Sequence, residues 1–343
     1  PMFEHELEGT EEEFYPPQVE AGRLKTFIET ELSECQANLP EKWNTNMAGR
    51  VTKYTAAALL GKYYMFIGEK AKAKTEFWKV IDSHRYELME NYGDNFNGLH
   101  ENNKESILEV QFTGSLEGGH YEYNLFTLHL GPDSGCGAYE EAYPSKWLFN
   151  TLKKDLTEDG EYSDRLYETI IFDDPKSRPF YYEDGKGFSD YHQEDNIYWR
   201  KYVTYDKSLG DYWDYSGFNI PLIRYADILL LYAECLNDEG NSKEAIKYIN
   251  KVRDRVHVTP LSDTLSKEQV LKHLQDVERP CELALEGSRW YDLIRWGIVE
   301  DALKSHEKPF ASNFISTKHI RLAIPHKEFL MNPDWVQNEG YTK

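Results

Sequence analysis

The chain has 343 residues, 40% hydrophobic and 29% charged, with 60 acids against 39 bases and a net charge of −21. That length can bury a sizeable core as one or two domains, and no apolar run approaches the roughly 20 residues that span a bilayer. The charge argues against nucleic acid, because phosphate contacts need cations and this field repels polyanions; it suits neutral or cationic ligands.

No charged-then-apolar stretch marks a signal peptide, and the chain opens at Pro1 without an initiator Met, so location stays open. A helix is expected over residues 22–38. After it, Leu60-Gly61 is followed by Tyr64, Gly68, Ala73 and Phe77. Aligning Gly240 on Gly68 sets Ala233, Leu236, Ala245 and Ile249 on Gly61, Tyr64, Ala73 and Phe77. Small residues let paired helices approach, and a glycine in the inter-helix turn takes a positive φ without strain. This is the tetratricopeptide-repeat signature in two copies, with the first helix pairing against the first copy.

Between the copies the pattern changes. Residues 105–113 (ESILEVQFT) read as a strand with apolar Ile107 and Val110. Loops rich in glycine and tyrosine follow over 114–143, then a helix starting near Pro144-Ser145, where the serine is a natural cap. Residues 155–217 are acidic, aromatic and turn-rich, with only 197–204 strand-like. Irregular stretches this long inside a helical scaffold are usually functional. Beyond the second copy, 266–296 reads as mostly helical, and the tail as an extended strap broken by Pro325 and Pro333. The fold class is therefore mostly α, with tetratricopeptide-like hairpins, long irregular loops and a few short strands.

The best-patterned candidate for chemistry is the helix expected over 278–297. Glu278, Glu282 and Glu286 are four apart and stack on one face, about 6 Å between neighbours, a separation compatible with an acid and a nucleophile for sugar hydrolysis. However, Arg279, Arg289 and Arg295 interleave them, and Glu286–Arg289 and Asp292–Arg295 are i, i+3 pairs. A carboxylate held by arginine stays ionised and makes a poor general acid, so the helix reads as a structural ion-pair network. Other enzyme signals are missing. There is no H-E-x-x-H or G-x-S-x-G, and GPDSGCG over 131–137 lacks the lysine and helix of a phosphate loop. Cys35, Cys136, Cys235 and Cys281 are too scattered for zinc; Cys235 and Cys281 read as buried small hydrophobes. No cofactor, metal site or catalytic residue is expected.

The 25 tyrosines and 8 tryptophans concentrate in the loops. Exposed rings with a polar rim can stack on the apolar faces of sugars while neighbouring polar groups bond the hydroxyls. Half or more of them will fill packing between loops and helices. The candidates for a ligand surface are Tyr121, Tyr123, Tyr139, Trp147, Trp199, Tyr212, Trp213 and Tyr215.

Taken in order, these segments resemble the SusD/RagB family of Bacteroidetes nutrient-binding lipoproteins. The resemblance lies in GRVTKYTAAALLGKYYMFIGEKAKAKTEFWKVIDSHRYEL, KESILEVQF, NIPLIRYADILLLYAECLN, ERPCELALEGSRWYDLIRWG and the closing IPHKEFLMNPDWVQNEGY. Glu339 stands where the family usually has proline, and Pro280 interrupts the usual basic run. The resemblance implies one domain over 1–343 that lacks the family's N-terminal part. Within it, middle repeat helices span 20–84 and a loop-rich ligand-facing region spans 105–217. The second repeat and the ion-paired helix span 218–300, and a strap spans 301–343. It also implies a non-catalytic, surface-exposed outer-membrane lipoprotein that binds oligosaccharide and delivers it to a SusC-like TonB-dependent transporter. Peptide cargo on the same fold, or a pure interaction scaffold, are the alternatives. Family ligand residues lie in variable loops, so none transfers to a position here.

Overall fold

The computed structural model describes the whole chain except residues 1, 5, 7, 10–14, 114–121, 134–137, 178–184, 204–215 and 307. Helix α1 (Ala21–Asn38) comes first and contributes no buried residue. Helix α2 (Lys53–Phe66) begins at Thr52, whose hydroxyl accepts from the Thr55 N–H while the Thr55 hydroxyl accepts from the Thr52 N–H. This reciprocal cap satisfies two of the donors that a helix start leaves free. Helix α3 (Lys70–Asp82) returns antiparallel after Gly68, whose φ of +82° requires a glycine-like turn. Gly61 allows the two helices to close: a Cβ there would lie 2.5 Å from Cε1 of the Phe77 ring.

Strand β1 (Ser106–Val110) follows, then α4 (Phe126–Leu130), α5 (Lys146–Lys154) capped by the Ser145 hydroxyl, and α6 (Asp164–Tyr167). Strands β2 (Ile170–Ile171) and β3 (Tyr198–Trp199) pair antiparallel, and β4 (Ile220–Arg224) pairs antiparallel with β1. Period two puts Ile107 and Glu109 on the buried face and leaves the apolar Val110 exposed. The strand-like stretch over 197–204 shrinks to the two residues of β3.

Helices α7 (Tyr225–Asp238) and α8 (Ser242–Arg255) form the second hairpin, turning at Gly240 with φ +85°. Ala73, Phe77, Ala233, Ala245 and Ile249 are almost wholly buried in one core shared by both hairpins. A second core gathers Leu152, Leu166, Ile170, Ile171, Trp199 and Cys281 under the loops. Cys235 and Cys281 are buried as expected, and burial pushes the Cys235 thiol up to about 12.

The expected helix over 278–297 is two helices. Helix α9 (Lys267–His273) runs through a π-helical turn (Leu274–Glu278) into α10 (Arg279–Glu282). The chain then kinks, with Leu285 at φ +63° and Gly287 at +75°, before α11 (Arg289–Trp296). Asp292 and Arg295 do pair, at 2.9 Å. Glu286 instead swings to Arg224, accepting from Nε and Nη2 at 2.8 Å each, and Arg289 donates to the Gln275 carbonyl. The carboxylates are held by arginines from outside their own helix. Glu278 accepts from Arg165 at 2.8 Å and Arg253 at 2.7 Å; Glu282 accepts from Arg224 at 3.0 Å and also from Arg255. Glu105 on the approach to β1 bonds Arg224 and Arg255. Lys201, wholly buried and pushed down to about 8 by burial, fastens the kink through Glu286 and the Glu282 and Ala284 carbonyls.

Helices α12 (Val299–Ser305), α13 (Ser316–His319) and α14 (His326–Met331) complete the described elements. The tail does strap the body, but it is not simply extended: Pro325 starts α14 instead of breaking a strand. Trp335 Nε1 donates to the Pro16 carbonyl at 3.1 Å, and Gln18 bonds Val336 in both directions.

Gly61→Val is expected to cost about 1–3 kcal/mol, because it forces the Phe77 ring from a filled site; urea unfolding with an unchanged midpoint would show a looser hairpin. Arg224→Met leaves Glu105, Glu282 and Glu286 facing one another in the core, and should cost about 3–5 kcal/mol by the same measurement. Burial alone would raise the Glu282 carboxyl, yet Arg255, Arg224 and Arg165 overcome it and hold it at about 2. Its contribution is therefore complete above pH 4.5 and is lost as pH falls towards 2. Thermal melts between pH 6 and 2.5 should fall below 4.5 and be flat above it as far as this group is concerned.

Candidate functional site

The loop side carries an open aromatic platform that backbone pairing builds. Glu122 bridges to Thr113 and Asn124 to Ser216, and the Asn124 amide donates to the Phe218 carbonyl at 2.8 Å. The Asn124 side-chain oxygen accepts from the Phe126 N–H at 3.0 Å and so positions the start of α4. Residues 139–141 run back along α4, with the Tyr139 N–H on Leu128 O and the Glu141 N–H on His129 O, both at 2.8 Å.

This return exposes two rings. Tyr139 is 59% exposed and meets His129 edge-on at 5.6 Å; Tyr143 is 55% exposed and leans on Tyr198 at 5.8 Å. Phe126 is exposed at the start of α4, resting on Tyr202 at 5.8 Å. Carboxylates rim the platform. Glu140, at φ +49°, accepts from the Asp133 N–H at 2.7 Å and the Tyr143 hydroxyl at 2.9 Å. Glu141 lies 2.8 Å from His129 Nδ1. Partial desolvation and the Glu140 carboxylate together push the Tyr143 phenol up to about 12, so it stays a hydrogen-bond donor at neutral pH. Open rings beside fixed acceptors can stack on a sugar face and bond its hydroxyls.

Of the expected site residues, Tyr139 stands on this platform. Tyr123 sits half-buried between the two bridges that hold it. Tyr121, Tyr212, Trp213 and Tyr215 lie outside the described residues. Trp199 is corrected: β3 carries its ring into the loop-side core, 7% exposed, where it has no open face. Trp147 is placed in a different cleft of about 800 Å³ between α5, the π-helical turn and α12, which none of the platform rings lines. There it stacks on the His306 ring at 3.7 Å, with the Arg289 guanidinium 5.2 Å from its centroid. Sequence reading did not single out Tyr143 or Glu140 as site residues, although acids beside tyrosines just before a helix cap (YEEAYPS) were a usable signal.

The sequence profile of the SusD family matches residues 34–341. The chain belongs to the SusD family. A SusD-like protein of Formosa agariphila is 26% identical, aligned over 93% of this chain and 64% of its own length; a second from the same organism is 27% identical over 84% and 60%. The chain thus spans less than two thirds of these relatives. A SusD superfamily protein of Bacteroides vulgatus superposes with a TM-score of 0.83 at 26% identity, covering 96% of this chain and 70% of that one. A structure described as a laminarin binding SusD-like protein gives 0.73 at 26% identity over 94% and 70%. The hairpins and the buried ion pairs above are thus those of a SusD-family chain.

Burial, with Arg289 and Lys308 nearby, lowers the His306 imidazole to about 4. A base with a depressed folded value is charged first in the unfolded chain, so its contribution weakens as pH falls from 6.5 to 4. Trp147→Ala uncovers one face of that ring and is expected to move its titration up towards 6.5, read by NMR of the histidine ring protons. An unmoved titration would show that the stack does not set it.

Proposed function

We propose that this SusD-family chain binds oligosaccharide without breaking a bond, at the outer-membrane surface, and passes it to a SusC-like TonB-dependent transporter. The observation that carries the reading is the open Tyr139–Tyr143 platform with its fixed carboxylate acceptors, on a chain that is 26% identical to a laminarin-binding SusD-like structure. The spacing that suggested catalysis does not carry it, since Glu278 and Glu282 are buried and all three carboxylates, Glu286 included, are held in ion pairs. Outer-membrane location and the transporter partner rest on the family alone.

Calorimetry against laminarihexaose tests the cargo. Tyr139→Ala and Tyr143→Ala should each weaken binding about threefold to tenfold, the worth of one stacked ring. No heat with neutral glycans but clear binding of peptides would transfer the reading to peptide cargo. Binding that the double variant leaves unchanged would remove the platform from it. Co-purification with a SusC-like transporter of the same organism tests delivery, and its absence would remove that step from the reading.

A further inference from the structure

Another cleft, of about 390 Å³, opens beside β1, between the α1–α2 connection and the turn over residues 102–104. It inverts the charge of the molecule. On a chain of net charge −21, its walls carry Lys42, Arg50, Arg85 and Lys104 against two acids, Glu41 and Glu109. Both acids are engaged. Glu41 accepts from Lys53 at 2.6 Å, and Glu109 takes the Asn102 N–H at 3.0 Å and the Asn219 amide at 2.9 Å.

Two of the four cations are uncommitted, while Lys104 donates to Glu87 at 3.3 Å. Among the described residues neither Lys42 nor Arg50 has a carboxylate partner, and Arg85 reaches only Glu41, at 3.7 Å. Trp43 lines the same cleft, and its ring is fixed by an Nε1–H donated to the Val51 carbonyl at 2.7 Å. The Arg50 guanidinium lies 5.5 Å from the Trp43 centroid. Asn44 also lines the cleft, and its side-chain amide has no hydrogen-bond partner among the described residues.

Cations in a body this acidic would normally be drawn into ion pairs, as Lys53, Lys62, Lys70 and Lys74 are here. Clustered free guanidinium and ammonium groups beside an anchored tryptophan instead match a ligand with both an apolar ring face and negative charge. From this geometry we infer that the cleft around Trp43 and Arg50 is a second saccharide subsite, for pyranose units bearing a carboxylate or sulfate. Arginines take the anionic substituent in a forked pair, Trp43 meets the ring face, and Asn44 bonds a hydroxyl. The inference does not depend on what the Tyr139 platform binds.

Calorimetry of the whole chain against hexagalacturonate, a sulfated galactan hexamer and neutral laminarihexaose tests it at 50 and 300 mM NaCl. Binding of at least one anionic probe is expected, weaker at high salt, and which of the two wins separates carboxylate from sulfate. Arg50→Ala and Arg85→Ala should each lower that affinity about tenfold and leave laminarihexaose binding unchanged. Tyr139→Ala should do the reverse. Both arginine side chains are exposed, so their variants keep the test decisive even if Trp43→Ala fails to fold. No binding of either anionic probe, or equal binding by the Arg50→Ala variant, overturns the inference. Loss of anionic binding in Tyr139→Ala but not in Arg50→Ala does so too, and leaves the platform reading standing.

Discussion

The junction of β1, β4 and the kink after α10 is held by Arg224. Its guanidinium is wholly buried at the end of β4 and bonds Glu105 before β1, Glu282 at the end of α10 and Glu286 in the kink. Four more cations, Arg165, Lys201, Arg253 and Arg255, extend the lattice to the loop side and to α8, while Arg279 and Arg295 tie Asp227 on α7, Asp292 and Glu234 into a second network. Charges buried so deeply gain little over a hydrophobic isostere, but removing one partner strands the rest. A lattice of this kind therefore acts as a register lock: helices from distant parts of the sequence fit only in the arrangement that neutralises every group.

The hairpins were legible because their signals are local. Gly61, Gly68 and Gly240 announce close approach and a left-handed turn, and the structure places all three as those rules require. The same locality misled at residues 278–297. Spacing of four predicts one helix and neighbouring ion pairs, whereas the arginines that bond Glu278, Glu282 and Glu286 lie 25 to 113 residues away in sequence. Arg224 and Lys201 outbid Arg289 for Glu286 because they meet it inside the core, where a charge-assisted bond gains more than at an exposed helix face. No local pattern encodes that competition.

The ligand side was legible in kind and only thinly in detail. A loop tyrosine in the sequence looks the same whether its ring closes a core or opens to solvent, and the decision is made by pairing partners far along the chain. Trp199 is internal because β3 pairs with β2. Tyr139 is external because its backbone is spent on α4. The basic cleft was hidden by averaging: a total of −21 conceals a local reversal that appears only when residues 42, 50, 85 and 104 converge.

Helix α1 buries no residue of its own, whereas α2, on the other side of the connecting loop, is locked by its reciprocal cap and by Phe77. Local opening free energy follows buried contacts, so α1 belongs to the low end of the scale and α2 to the high end. The loop that carries Trp43 and Arg50 is strung between them. One wall of that cleft thus adjoins the more easily opened element, while the facing wall over residues 102–109 is tied to β1.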